Sequence, residues 1–242
     1  MYEEIIKKYL DKTGFTCFNP KAVLFDMDGV LYDSMPNHAQ SWHHSMAKFG
    51  LKMAPEEAYE YEGMRGVETI KVIGSRQWNR TLTDEEADEI YKEKCHYFRT
   101  CPKAKKMDGV EQLMHKIKDA GLKIVVVTGS GQKSLLSKLG VEFPGLISED
   151  LMVTSFDVSR GKPNPEPYLQ GLSKADIQPY EGIVVENAPL GVQAGVAAKI
   201  FTVAVNTGPL SDKMLANEGA NLIFDKMTDF RDHWESLLKA KR

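Results

Sequence analysis

The chain has 242 residues, 27% of them charged and 42% hydrophobic, with a formal net charge of −3. That balance suits an ordinary globular protein of one domain plus an insertion and excludes the basic footprint of a nucleic-acid binder. Three cysteines (Cys17, Cys95, Cys101) without Cys-x-x-Cys spacing argue against a disulfide framework. No apolar run reaches the length of a membrane span, and Met1 to Asp11 is too charged for a signal peptide, so a cytoplasmic protein without membrane partners is expected.

Ile5, Ile6, Tyr9 and Leu10 give residues 2–12 a helical stripe, an N-terminal extension occupying 1–20. Residues 22–25 form a short apolar run that reads as a buried strand and leads straight into Asp26-Met27-Asp28-Gly29. Residues 35–103 change pattern. Helices are expected near 37–49, 55–61, 66–77 and 84–99, the last starting after Thr83, with no convincing strand. This segment reads as an all-helical insertion. The basic run Lys103, Lys105, Lys106 marks the return to the main domain, which comprises 21–34 and 104–242.

Beyond Gly109 helix and strand alternate. Val110, Leu113, Met114 and Ile117 mark a helix that Gly121 closes. Strands are expected at 123–128, 151–154, 182–186, 200–205 and 222–224. Helices are expected at 132–139, 165–172, 189–198 and 228–239. That alternation implies βαβ units and an α/β fold with a parallel sheet.

Ligands of such sheets bind outside the carboxyl ends of the strands. Asp26 and Asp28 fall there, and two carboxylates so close need a cation or a proton between them. Oxygen ligands at that density suit Mg²⁺; a surface turn would use the same residues. Three further polar clusters fall at strand ends. Thr128-Gly129-Ser130-Gly131 offers hydroxyl and backbone donors to a phosphate oxygen, or a plain turn. Lys162 sits in a proline-stiffened loop that holds an ammonium for phosphate, or it is an exposed lysine leading into a helix. Glu186-Asn187 can complete a metal shell, and Asn187 can also cap the following helix. Together the clusters supply what phosphoryl transfer needs: an anionic nucleophile and charge neutralisation.

With FDMDGVLYDS, VVVTGS, GKPNPEPY and VVENAPLGVQAG in that order, the sequence resembles the haloacid dehalogenase (HAD) superfamily over about 21–225. The similarity is to its β-phosphoglucomutase-like branch, which has a Rossmann-like core and an inserted helical cap. The resemblance implies Asp26 as nucleophile, Asp28 as general acid and base, and Thr128 and Lys162 as ligands of the transferring phosphoryl group, assisted by Gly129 and Ser130. It implies Mg²⁺ held by Asp26, the Asp28 carbonyl and residue 187, with Glu186 adjoining. Ser34 would sit at the cap hinge, and His38 would orient the general acid.

Two departures stand out. Asn187 occupies a position where aspartate is usual, and Glu62 stands in the cap where sugar-phosphate mutases carry lysine; Arg65 is one residue out of register with their phosphate-binding arginine. Glu62 is read as supplying the carboxylate that Asn187 lacks when the cap closes. Lys94 is a candidate contact for the leaving phosphate. The expected activity is a Mg²⁺-dependent phosphohydrolase acting on a small phosphorylated substrate, inorganic pyrophosphate among them, as a monomer or weak dimer. The alternatives are a β-phosphoglucomutase-type isomerase and a non-catalytic phosphate binder.

Overall fold

A computed structural model describes residues 1–130 and 133–240. Gly131 and Gln132, at the end of the Thr128 turn and the start of the next expected helix, lie outside the described residues, as do the side chains of 133–137. In chain order the elements are α1 (Tyr2–Thr13), β1 (Ala22–Phe25), α2 (Met35–Lys48), α3 (Glu57–Glu60), α4 (Gly66–Trp78), α5 (Asp84–Phe98), α6 (Val110–Asp119), β2 (Lys123–Val127), α7 (Lys133–Glu142) and β3 (Met152–Val153). There follow α8 (Glu166–Ala175), β4 (Gly182–Glu186), α9 (Pro189–Ala197), β5 (Phe201–Val205), α10 (Asp212–Asn217), β6 (Leu222–Phe224) and α11 (Met227–Lys239).

The six strands form one sheet in the order β3-β2-β1-β4-β5-β6, every pairing parallel. β1 lies at the centre, with Val23 opposite Ile124 on one side and Ile183 on the other. It is buried on both faces, which is why its sequence is unbroken AVLF rather than alternating. Val23 and Phe25 face a core shared with α1, α6 and α11 through Ile6, Leu113 and Trp234. Ala22 and Leu24 face the other layer, where Tyr168 and Leu172 of α8 and Ala194 of α9 pack. The N-terminal helix is tied in by the Tyr9 hydroxyl, which donates to the Lys199 carbonyl at 2.9 Å.

Helices α2 to α5 enclose a separate apolar cluster that includes Trp42, Met46, Ile70, Ile73 and Ile90. Thr83 caps α5: its hydroxyl accepts from the Glu86 N–H at 3.2 Å, and the Glu86 carboxylate accepts from the Thr83 N–H at 2.9 Å. Three elements depart from expectation. The turn α3 covers only four residues, because Pro55 and Glu56 stay outside it. β3 is two residues long, because a 3₁₀ turn at Glu149–Leu151 uses up its start. The six-residue α10 had no apolar stripe of its own; Leu215 is its single buried side chain. No helix among the described residues is long and apolar enough to cross a membrane.

Candidate active site

β1 ends at Phe25 and hands Asp26 to the carboxyl edge of the sheet, where the Asp26 N–H donates to the Val185 carbonyl of β4 at 3.0 Å. Gly29 takes φ +78°, and a methyl there would overlap the Asn187 amide. Only glycine allows the loop after β1 to turn this tightly against the loop after β4. Lys162 crosses beneath both loops. Its ammonium is bonded to Asp26 Oδ1, to Glu186 Oε1 at 2.6 Å and to the Val127 carbonyl at 3.2 Å. The Tyr168 hydroxyl donates to the same Glu186 oxygen at 2.5 Å, and the Asn187 N–H donates to Glu186 Oε2 at 3.2 Å. Gly191 packs so closely under Glu186 that an added methyl would overlap its carboxyl.

The helical segment closes over this floor. Gly63, at φ +86°, lies on the Lys162 stem, where an added methyl would stand 2.8 Å from Cδ. Glu62 Oε2 accepts from Asn187 Nδ2 at 2.9 Å, joining residues on opposite sides of the cleft. Asp28 Oδ1 accepts from the Ser34 hydroxyl at 2.6 Å and from His38 Nε2 at 3.1 Å. Lys94 lies 2.8 Å from His38 Nδ1 and is buried over the rings of Trp42 and Phe98. A lysine ammonium only donates, so it fixes the imidazole with its proton on Nε2, aimed at Asp28. A cavity of about 70 Å³ remains between the two layers, lined by Asp26, Asp28, His38, Glu62, Lys94 and the Thr128–Ser130 turn.

Charge in this space is unbalanced. Asp26, Asp28, Glu62 and Glu186 bring four carboxyl groups, and Lys162 is the ammonium bonded among them. Burial, with Glu186 and Asp28 adding repulsion that Lys162 only partly offsets, pushes Asp26 up to about 7. Burial and the neighbouring Asp26 and Glu186 likewise raise Glu62 well above the usual carboxylate range. Burial also acts on Asp28, but the charge and hydrogen bond of His38, the Ser34 hydrogen bond and the Lys94 charge outweigh it and hold Asp28 at about 2. His38 is lowered by burial and by Lys94, against the opposing pull of Asp28.

Most of the residues singled out in the sequence converge here. Asp26, Asp28, Thr128, Lys162, Glu186, Asn187, Glu62 and His38 come from six separate segments. Three are placed differently from their expected use. Arg65 does not line the cavity; it donates to the Ser159 carbonyl at 3.2 Å and pairs loosely with Glu68, because Gly161 leaves room for its stem outside the cleft. Lys94 lines the cavity but gives one of its three N–H donors to His38, a use not foreseen in the sequence. Glu186 is occupied by Lys162, Tyr168 and the Asn187 N–H, which leaves it a support for its neighbours more than a free ligand. Tyr168 was not singled out in the sequence, where it reads as one more apolar position on a helix.

A divalent cation fits the donor set. Glu62 Oε1 and Asn187 Oδ1 are both buried without a hydrogen-bond partner, and such orphaned acceptors beside Asp26 call for a positive ligand. Among the described residues no three His, Cys, Asp or Glu side chains form a ready-made cage. An ion here would therefore take amide or carbonyl oxygens besides carboxylates and keep waters or substrate oxygens, as Mg²⁺ does.

A family model described as haloacid dehalogenase-like hydrolase matches residues 23–205. A solved structure titled "Putative beta-phosphoglucomutase from Bacteroides vulgatus" superposes with a TM-score of 0.95 at 54% identity, covering 99% of this chain and 97% of that one. Hexitol phosphatase A of Escherichia coli (strain K12) is 31% identical over 186 residues, 77% of this chain and 83% of its own. Validoxylamine A 7'-phosphate phosphatase of Streptomyces hygroscopicus subsp. limoneus is 29% identical over 189 residues, 77% of this chain and 86% of its own. The chain is an enzyme of the phosphatase and phosphotransferase kind and belongs to the haloacid dehalogenase-like hydrolases.

Proposed function

We propose that the protein is a Mg²⁺-dependent phosphohydrolase that passes a phosphoryl group through Asp26 and acts on a compact substrate, inorganic pyrophosphate foremost. The observation that carries this reading is Glu62, which reaches from the cap to Asn187 and leaves a buried acceptor oxygen on each of the two residues. Glu62 returns to the site the negative charge that an amide at position 187 lacks. It also takes up space, leaving a cavity of about 70 Å³ beneath the cap. A cavity that narrow favours a compact phosphate over a hexose phosphate.

In this reading Asp26 attacks phosphorus while Asp28 gives a proton to the leaving oxygen. Asp28 is anionic at rest, held low by His38, Ser34 and Lys94, and an anionic leaving group placed against it favours its protonated form. Lys162 and Thr128 hold the equatorial oxygens and their charge. Asp28 then accepts the proton of the water that releases phosphate. Mg²⁺, held by Asp26, the Asp28 carbonyl, Asn187 and Glu62, would neutralise the crowded oxygens and the phosphoryl group.

The second reading is hydrolysis or mutation of a sugar or polyol phosphate. It is supported by the ordered Lys94–His38–Asp28 chain and by the relatives' names. A phosphate-release screen with Mg²⁺ separates the two: cleavage of pyrophosphate far above hexose and hexitol phosphates is expected, and the reverse order overturns the first reading. Glu62→Gln should then raise the Mg²⁺ concentration for half-maximal activity by about 10- to 100-fold. A Mg²⁺ titration that superposes on the wild type would remove Glu62 from the metal site.

A further inference from the structure

A second cavity, of about 290 Å³, opens at the hinge between the helical segment and the sheet domain, on the far side of Asp28. Its inner wall includes Asp28 and Ser34; Phe98, Cys101 and Ala104 form its apolar side. The surrounding strands of chain are tied to one another. Asn37 Nδ2 donates to the Pro102 carbonyl at 2.8 Å, the Asp33 N–H to the Lys105 carbonyl at 2.9 Å, and the Tyr32 hydroxyl to Glu142 Oε2 at 2.6 Å. These bonds join the two hinge crossings and the end of α7, so the chamber is part of the closed molecule.

The chamber touches Asp28 and not Asp26. Side-chain exposure follows the same division: 15% for Asp28, against 5% for Asp26 and 1% for Lys162. Asp28 lines both cavities and Asp26 only the front one, so Asp28 is the aspartate that water in the chamber can meet. The front cavity, by contrast, is only about 70 Å³ and lies under Glu62 and Gly63, where a substrate would occupy it.

We infer that the hinge chamber is a water port to Asp28, which makes water the acceptor of the phosphoryl group while the cap stays closed. This rests on the reading of Asp26 as a phosphorylated nucleophile. In the step it serves, a water oxygen bonds to phosphorus as the bond from phosphorus to the Asp26 oxygen breaks. The Asp26 carboxylate is regenerated, the water proton passes to the Asp28 carboxylate, and inorganic phosphate leaves. Without such a port, the closed cleft would hold the phosphoenzyme until the cap opened or an acceptor already inside took the group. The chamber is thus a determinant of hydrolysis over transfer.

Cys101 lines the chamber as a free thiol, so the folded enzyme can be plugged in place. The full-length protein with Mg²⁺ is labelled with benzyl methanethiosulfonate, mixed with radiolabelled pyrophosphate or acetyl phosphate, and acid-quenched over time. Phosphoenzyme formation should stay within about twofold of the unlabelled enzyme while its decay slows about tenfold or more, the two steps being read separately. Reductant should restore the decay, and Cys101→Ser treated identically should not slow. Ala104→Phe, which fills the same wall without a reagent, should reproduce the split. Unchanged decay in both the fully labelled enzyme and Ala104→Phe overturns the port, and so does an equal loss of formation and decay. A wild-type enzyme that turns over without any trapped phosphoenzyme instead overturns the role of Asp26, a separate failure.

Discussion

Asp26→Asn is expected to abolish phosphoenzyme labelling and to lower turnover by at least about 10⁴-fold while leaving the protein folded. The kinetic loss follows from chemistry: a carboxamide does not form the acyl phosphate, and no other carboxylate can take its place. Asp28 is held by Ser34 and His38, Glu186 is bonded to Lys162 and Tyr168, and Glu62 is carried by the cap and bonded to Asn187. Retention of the fold follows from charge. Lys162 lies between Asp26 and Glu186, all three nearly fully buried. Neutralising Asp26 leaves one ammonium facing one carboxylate, a balanced pair. Removing the ammonium has the opposite consequence: Lys162→Met strands two buried carboxylates and should cost about 3–5 kcal/mol, the usual penalty for breaking a buried pair. Thermal melts of the two variants should therefore diverge, with Asp26→Asn at or above the wild type in the absence of metal. An Asp26→Asn protein with residual phosphoenzyme, or one that melts as early as Lys162→Met, would show that residue 26 is a structural ion-pair partner and not the nucleophile.

The parts of this site legible in the sequence were those fixed by the sheet. β1, β2 and β4 are buried on both faces, so each appears as a continuous apolar run, and the first polar residue after each run is necessarily at the sheet's carboxyl edge. Asp26, Thr128 and Glu186 follow from that rule alone, with Asn187 next after Glu186. Glu62 and Asn187, 125 residues apart, were linked because an amide in an anionic site needs a charge from elsewhere. What stayed hidden depends on helix rotation and side-chain reach. Tyr168 looks like any apolar position of α8 until that helix is laid on the sheet with its hydroxyl over Glu186. Lys94 differs from the exposed Lys92 of the same helix only because α5 turns it toward His38, against the rings of Trp42 and Phe98. Arg65 misses the cavity because the absence of a side chain at Gly161 gives its stem a place outside. α10 is too short to show a periodicity.

The metal-free protein should lose stability as pH rises from about 4 toward 7, and Mg²⁺ should restore it most at the alkaline end. The sign follows from Asp26. Burial first, then repulsion from Glu186 and Asp28, raises its carboxyl from 3.8 to about 7 against the opposing pull of Lys162. Between those values the native state binds more protons than the unfolded chain, so the slope of unfolding free energy against pH is negative. The whole displacement is worth at most roughly 4 kcal/mol. Glu62, raised well above 4.5 by burial and by the same neighbours, acts in the same direction, and movement of the cap away from Asn187 would relieve part of both. Asp28 works oppositely: held at about 2, it contributes stability that is present above 3.8 and lost as pH falls toward 2. The metal-free optimum should therefore lie on the acid side of neutrality. A divalent ion at about 100 times its dissociation constant adds about 2.7 kcal/mol, and it competes with protons for the same oxygens. The Mg²⁺-induced rise in melting temperature should thus be several degrees larger at pH 8 than at pH 5. Melts in chelator and in Mg²⁺ across that range provide the measurement, with Glu62→Gln narrowing the difference between the two pH values. A chelated protein whose stability climbs steadily to pH 8, with Mg²⁺ adding the same increment throughout, would mean that these carboxylates are already compensated and that the cleft has no need of a cation.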